Sequence, residues 1–261
     1  MRNYLPETFA NQHGARVKST SLAKDLLRGK LALITGGTQG IGFAIAQALA
    51  EEGCDLIVCG RSQARLRRAQ KELSTKSAQV LAMSCDVRDE DSTRRMFATI
   101  KGKFKQLDIV VNSAGVAHRF KPTQKISIEE WSNVLATNLT GTFLITRAAL
   151  PLMKRGAAFA NVLSMSAKRA FPNLAAYNAS KFGALGFTNT LREELRREGI
   201  RVIALLPGST DTPIWKTLWP DAPRHKMIRP ETVAAALVAA LKLPEESTVE
   251  ELDLMPTGGP L

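Results

Sequence analysis

Short runs of β-branched and other apolar residues recur along the chain, separated by longer segments in which apolar positions repeat every three to four residues. The runs Lys30–Thr35, Asp55–Cys59, Val80–Cys85, Ile109–Asn112, Asn161–Ser164, Val202–Leu206 and Glu251–Met255 predict strands. The segments Gly42–Glu52, Gln63–Thr75, Ser92–Lys103, Trp131–Lys154, Ala175–Glu198 and Pro230–Lys242 predict helices. Strict alternation of the two predicts an α/β fold in which a doubly wound parallel sheet is covered by helices on both faces. No internal repeat or interdomain linker interrupts the pattern, so residues 29–261 are expected to form one domain. Residues 1–28 are polar and patternless, and are expected to be an N-terminal arm.

Composition narrows the class. The chain has 261 residues, 44% hydrophobic and 23% charged, close to an average folded chain and long enough to bury a sizeable core. No stretch reaches the ~18 to 20 continuous apolar residues of a membrane span, and the first thirty residues lack the apolar centre of a secretory signal. A cytoplasmic protein is expected. Cys54, Cys59 and Cys85 show no C-x-x-C spacing and are expected as reduced, buried thiols. His13, His118 and His225 share no ligand spacing with cysteine or carboxylate, so no metal site is expected. The net charge of +12 is concentrated in residues 61–76 and 94–105, opposed by an acidic run at 245–253. Such runs are either solvated helix faces or a field that attracts anionic ligands. Without interleaved aromatics or a binding module, nucleic acid is not expected as a partner.

The turn after the first strand carries Gly36, Gly37, Thr38, Gln39, Gly40, Ile41 and Gly42. Glycines there let the backbone turn tightly and approach a pyrophosphate, whose charge then lies over the N-terminus of the next helix, as in Rossmann-like folds. At the end of the second strand the chain reads Cys59-Gly60-Arg61, with no carboxylate to accept from a ribose 2′-hydroxyl. An acid would repel a 2′-phosphate, whereas Arg61 can pair with it, so NADP(H) is the expected cofactor. The plainer alternatives are a glycine-rich turn and an ordinary surface arginine.

Tyr177 and Lys181 stand at i and i+4 near the start of a predicted helix, on one face. A phenol is a poor acid or base at neutral pH, and a neighbouring cation makes it a better one. Ser164 ends a predicted strand, which would bring its hydroxyl to the sheet's carboxyl edge, where doubly wound folds bind ligands.

Taken together, TGGTQGIG (35–42), CDV (85–87), NSAG (112–115), NLTGTF (138–143), NVLS (161–164), YNASK (177–181) and PGSTDT (207–212) resemble the short-chain dehydrogenase/reductase family from about Gly29 to the C-terminus. The resemblance implies that Asn138, Ser164, Tyr177 and Lys181 are the catalytic residues. Tyr177 would donate the proton to a carbonyl oxygen that Ser164 polarises; Lys181 would hold the ribose hydroxyls and lower the tyrosine pKa, and Asn138 would hold a relay water. It also implies that Asp86 and Val87 meet the adenine, that Asn112 and Gly115 lie beside the ribose and central strand, and that Pro207, Gly208, Thr210 and Thr212 meet the nicotinamide and phosphates. Homodimers or homotetramers are implied too, through the helices at 131–154 and 175–198. NSAG in place of the commoner NNAG, Leu163 before the catalytic serine and Thr210 depart from the family pattern without touching the catalytic residues.

The substrate must be chosen by residues 113–121, 165–176 and 209–229. The last segment is long for a compact domain and carries Ile214, Trp215, Leu218, Trp219 and Met227, which either wall an apolar pocket or close the core. Basic residues Arg119, Lys121, Lys168, Arg169, Lys216, Arg224 and Lys226 are expected around the mouth, with Lys154 and Arg155 nearby. An apolar pocket under a positive rim suits an acyl thioester on an acyl carrier protein or coenzyme A. A 3-oxoacyl thioester is therefore the expected carbonyl substrate. A free small or lipophilic ketone, or a non-catalytic NADP-binding sensor, are the alternatives.

Overall fold

A computed structural model describes residues 26–76, 79–259 and 261. Seven strands form one parallel sheet: β1 Leu31–Thr35, β2 Asp55–Gly60, β3 Val80–Ser84, β4 Ile109–Asn112, β5 Ala158–Val162, β6 Arg201–Pro207 and β7 Glu251–Leu254. Their order is β3-β2-β1-β4-β5-β6-β7. Side chains alternate between faces with the period of the pleat. On one face Ala32, Ile34, Leu56 and Val58 pack against helices α1 (Gly40–Glu51), α2 (Gln63–Leu73) and, further along the sheet, α8 (Pro230–Leu241). On the other, Leu33, Ile57, Val110 and Phe159 lie in a core with α3 (Glu90–Lys103), α5 (Gly141–Ala149) and α6 (Ala175–Leu195). Central strands buried on both faces read as continuous apolar runs. The edge strand β7 alternates between exposed and half-buried residues.

The winding reverses between β1 and β4, and the crevice outside their carboxyl ends is where such a sheet binds ligands. Thr35 clamps this point: its Oγ1 accepts from the backbone N–H groups of Ser113 at 3.0 Å and Ala114 at 3.1 Å.

The largest departures from the sequence reading are at β5 and at the expected helix 131–154. β5 begins at Ala158, so Ser164 lies two residues beyond the strand rather than at its end. The small residues of AAFA give little β signal, and pairing with β4 and β6 decides their conformation. The expected helix 131–154 is divided. α4 (Ile128–Leu135) starts three residues earlier, under a capping box of Ser127 and Glu130. A π-helical turn at Ala136–Thr140 then leads into α5, and Leu150–Leu152 forms a 3-10 turn. Residues 209–229 contain the short helix α7 (Trp215–Leu218). The expected arm lies outside the described residues as far as position 25. Within its last residues, Leu27 is buried and its carbonyl accepts from the Cys54 thiol at 3.2 Å.

Candidate active site

The phosphate-sized approach is set by backbone. Gly36 has φ +65, and a Cβ placed on it would lie 2.9 Å from the Ala114 Cα. Gly42 packs against the same turn, where an added Cβ would come within 2.7 Å of the Gly36 carbonyl oxygen. Side chains at either position would fill the cradle or push it apart. α1 begins at Gly40 with no side-chain cap and no acid in its first turn, so its leading N–H groups face the cradle without a competing anion.

Two guanidinium groups border the far end of this cradle. Arg61 is exposed just past β2. Arg65 stands one turn later, on α2, and its Nη1 donates to Gln39 Oε1 at 2.8 Å. Sequence reading missed Arg65, although its i, i+4 spacing from Arg61 was visible. Asp86, just past the neighbouring strand β3, is gripped by Arg88 through Nε and Nη2, which holds its carboxyl below the usual range. The glycine cradle, the free helix terminus and the paired cations fit an adenine dinucleotide carrying an additional phosphate.

The reacting end is carried by α6, the turn after β5 and the π-helical turn. The first turn of α6 places Tyr177 and Lys181 together, with the ammonium 5.6 Å from the phenol ring centroid. Lys181 Nζ donates to the Val162 carbonyl at 3.0 Å. Burial holds the Lys181 pKa down to about 8. Burial pushes the Tyr177 phenol up to about 12, against a hydrogen bond from Ser164 that lowers it. Ser164 is the neighbour whose hydrogen bond offsets part of that burial effect. Ser164 Oγ also accepts from the Ser166 N–H at 3.1 Å, which fixes its orientation over a 3-10 turn.

Asn138 sits one layer behind. Its Oδ1 accepts from Val116 N at 2.9 Å, and its Nδ2 donates to Val116 O at 2.9 Å and Ser180 Oγ at 3.0 Å. Ser180, which the sequence did not single out, in turn donates to the Tyr177 carbonyl at 2.7 Å. The π-helical turn thereby ties the loop after β4 to the base of α6. Such single-turn π-bulges occur often at functional sites.

A cavity of about 320 Å³ joins the two ends. Its wall includes Gly36, Thr38, Gln39, Gly40, Ile41, Gly42, Arg61, Asp86, Val87, Gly115, Ser164, Tyr177, Lys181, Pro207, Gly208, Thr210 and Thr212. Asn138 and Asn112 are outside that wall. Asn112 is turned into the protein, where Nδ2 donates to Asn161 Oδ1 at 2.9 Å and Thr146 Oγ1 at 3.1 Å, which ties β4 to β5 and α5.

Beyond Tyr177 the wall is apolar, with Phe120, Phe171, Leu174, Ile214, Trp215 and Leu218. Trp219 lies outside it, 6.4 Å from the Phe120 ring, and Met227 is buried in the loop. The connection is held in place: Trp215 Nε1 donates to Thr210 O at 2.8 Å, and Arg224 Nη2 donates to Thr212 O at 2.7 Å. His118 is buried with Nδ1 2.8 Å from the Arg119 carbonyl, and it does not reach the cavity.

The basic residues expected around the mouth are only partly free to meet a ligand. None of the seven cations is part of the cavity wall, and three are engaged: Lys121 with Glu130, Lys168 with Glu251 and Asp253, and Arg224 with Asp211. Lys154 and Arg155 precede β5, and Arg155 donates to the Arg197 carbonyl ahead of β6. In a parallel sheet that is the edge opposite Ser164. Among the described residues, no helix is long and apolar enough to cross a membrane.

Residues 30–223 match the short chain dehydrogenase family. A 3beta-hydroxysteroid dehydrogenase of Mediterraneibacter gnavus is 34% identical over 186 residues, 71% of this chain and 67% of the relative. Among solved structures, an alcohol dehydrogenase from Thermococcus sibiricus complexed with 5-hydroxy-NADP superposes with a TM-score of 0.82 at 31% identity, covering 88% of this chain and 97% of the other. A 3-ketoacyl-(acyl-carrier-protein) reductase from Brucella melitensis complexed with NADH gives 0.78 at 31% identity, covering 87% and 97%. The seven-stranded sheet, the cavity at its switch point and these matches agree: the chain belongs to the short chain dehydrogenase family and is an oxidoreductase of that family.

Proposed function

We propose that this protein is an NADP(H)-dependent reductase and dehydrogenase acting between a ketone and its secondary alcohol, with a lipophilic substituent held by the apolar wall. The observation that carries this reading is the meeting of Tyr177, Ser164 and Lys181 between a glycine cradle bordered by Arg61 and Arg65 and a pocket lined by Phe171, Ile214 and Trp215. Bound NADP(H) would supply or accept the hydride. Gly36, Thr38 and Gly40 would hold its phosphates, Arg61 and Arg65 the 2′-phosphate, Asp86 and Val87 the adenine, and Lys181 the nicotinamide ribose.

In the reducing direction, Ser164 Oγ donates a hydrogen bond to the carbonyl oxygen and Tyr177 Oη delivers the proton to it. The buried phenol is protonated at neutral pH and so holds the proton to be given. The Lys181 ammonium stabilises the phenolate left behind. Asn138 keeps the loop after β4 and the first turn of α6 in register.

A 3-oxoacyl thioester is the second reading, favoured by the similarity to a 3-ketoacyl-(acyl-carrier-protein) reductase. The engaged cations give an acidic carrier less to hold, so the free lipophilic ketone is preferred. NADPH oxidation against a panel of free ketones and 3-oxoacyl thioesters, repeated across ionic strength, separates the two. We expect turnover of lipophilic ketones with little salt dependence. Activity confined to carrier-linked thioesters and falling steeply with salt would reverse the preference.

A further inference from the structure

β2 and β3 leave the sheet side by side, and each exit carries a cysteine. Cys59 pairs with Met83 and Gly60 with Ser84, so Cys85 follows immediately and its N–H donates to the Gly60 carbonyl at 3.1 Å. Both side chains belong to the core on the α3 side of the sheet, and the register puts them on the same face of adjacent strands, close enough to influence each other's ionisation. They are buried from bulk solvent but form part of the cavity wall, beside Arg61 on one strand and Asp86 on the other. Cys54, at the opposite end of β2, has no such place. The catalytic reading uses neither Cys59 nor Cys85.

The pair is chemically uneven. Cys85 is brought down to about 7, chiefly by its interaction with Cys59, with Ser92 assisting against burial. Cys59 is held well above an ordinary thiol by that same interaction and by burial. The thiolate therefore resides on Cys85, and the thiolate is the nucleophile.

We propose that Cys59 and Cys85 form a reversible thiol switch in the nucleotide end of the cavity, closed to an intrachain disulfide by hydrogen peroxide and reopened by a dithiol, and that the oxidised form rejects NADP(H). The Cys85 thiolate attacks one peroxide oxygen, forming an S–O bond as the O–O bond breaks and hydroxide leaves. Cys59 sulfur then attacks Cys85 sulfur, an S–S bond replaces the S–O bond, and the oxygen departs as water with the Cys59 proton. Two thiols are oxidised by two electrons and one peroxide is reduced to two waters.

An S–S bond of about 2.05 Å is far shorter than a non-bonded contact between two thiols, so the exits of β2 and β3 must draw together. Arg61 and Asp86 move with them. Displacements of about an ångström at such a site cost up to a hundredfold. Bound nucleotide occupies the thiols' route to solvent and should protect them; this gating rests on the cofactor reading above.

The test treats the full chain with hydrogen peroxide, with and without saturating NADPH, and follows intact mass, linked peptides and NADPH affinity. We expect loss of two hydrogens in mass, a Cys59–Cys85 linked peptide, and NADPH affinity weakened about tenfold to a hundredfold. Dithiothreitol should restore binding, and NADPH should slow the oxidation. Cys59→Ser and Cys85→Ser should each abolish the linked peptide, with Cys59→Ala as a second variant if the serine disturbs folding; Cys54→Ser should retain it. Oxidation of Cys85 to a sulfinic acid with no linked peptide would overturn the proposal, as would a disulfide that leaves NADPH affinity unchanged. If the reduced protein does not bind NADPH, the cofactor reading fails and the gating fails with it, while the linked peptide still reports on the thiol chemistry alone.

Discussion

At the nucleotide end of the cavity the wall is mostly backbone, whereas at the substrate end it is side chains borrowed from distant segments. Gly36 and Gly42 work because they lack a Cβ; both belong to one short turn, whose backbone closes on itself at Gly42 and on Ala114 at Gly36. Phe120, Phe171 and Ile214 come from three separate loops, which meet only because the sheet gathers its carboxyl ends at one edge. Motif spacing encodes the first arrangement directly. The second depends on how loops settle, so the cofactor class is written more plainly in the chain than the substrate.

That contrast can be broken at its centre, where the two ends share Tyr177. Tyr177→Phe removes only the proton donor, and we expect kcat to fall roughly 10²- to 10⁴-fold with NADPH affinity nearly unchanged by titration. A variant retaining substantial turnover would take Tyr177 out of the reaction.

A smaller effect sharpens the nucleotide end. Arg61→Ala should weaken NADPH about tenfold, the scale of a charge-assisted hydrogen bond, and leave NADH affinity unaltered. Adding Arg65→Ala should extend the loss if the arginine missed in the sequence shares the 2′-phosphate. Equal losses for both nucleotides would mean that neither arginine reads that phosphate.

A further effect, on stability rather than on binding or turnover, concerns the buried ammonium. Lys181 titrates near about 8 when folded against 10.5 in an open chain. Between those values the unfolded state binds more protons, so stability from this site rises with pH from about 8 to about 10.5, and the burial penalty is complete below about 8. Lys181→Met should therefore be more stable than the parent by on the order of 2–4 kcal/mol at pH 7 in urea unfolding, with most of that advantage gone by pH 10. An advantage that does not shrink with pH would place its origin elsewhere than in the ammonium.

The same contrast explains what the chain made legible. Apolar runs marked all seven strands, although the expected fifth shares only Asn161 and Val162 with β5, and residues 35–42 carried the turn that begins α1. The Ser127–Glu130 capping box was also legible and was passed over, which cost the start of α4. The π-helical turn had no pattern to announce it; it follows from packing around Asn138. A local charge count also overstates the free positive charge at the mouth: Lys168 pairs with Asp253, 85 positions away, which no such count registers. Arg155 misled for a topological reason, since residues just before a parallel strand lie at the edge away from the site.

The most direct measurement uses NADPH deuterated at the transferring carbon of the nicotinamide, with a lipophilic ketone and the unmodified protein. We expect one deuterium on the carbinol carbon for each NADPH consumed, and no such product from the Tyr177→Phe protein. Tight NADPH binding without deuterium transfer to any carbonyl would contradict catalysis and leave a nucleotide-binding protein in its place.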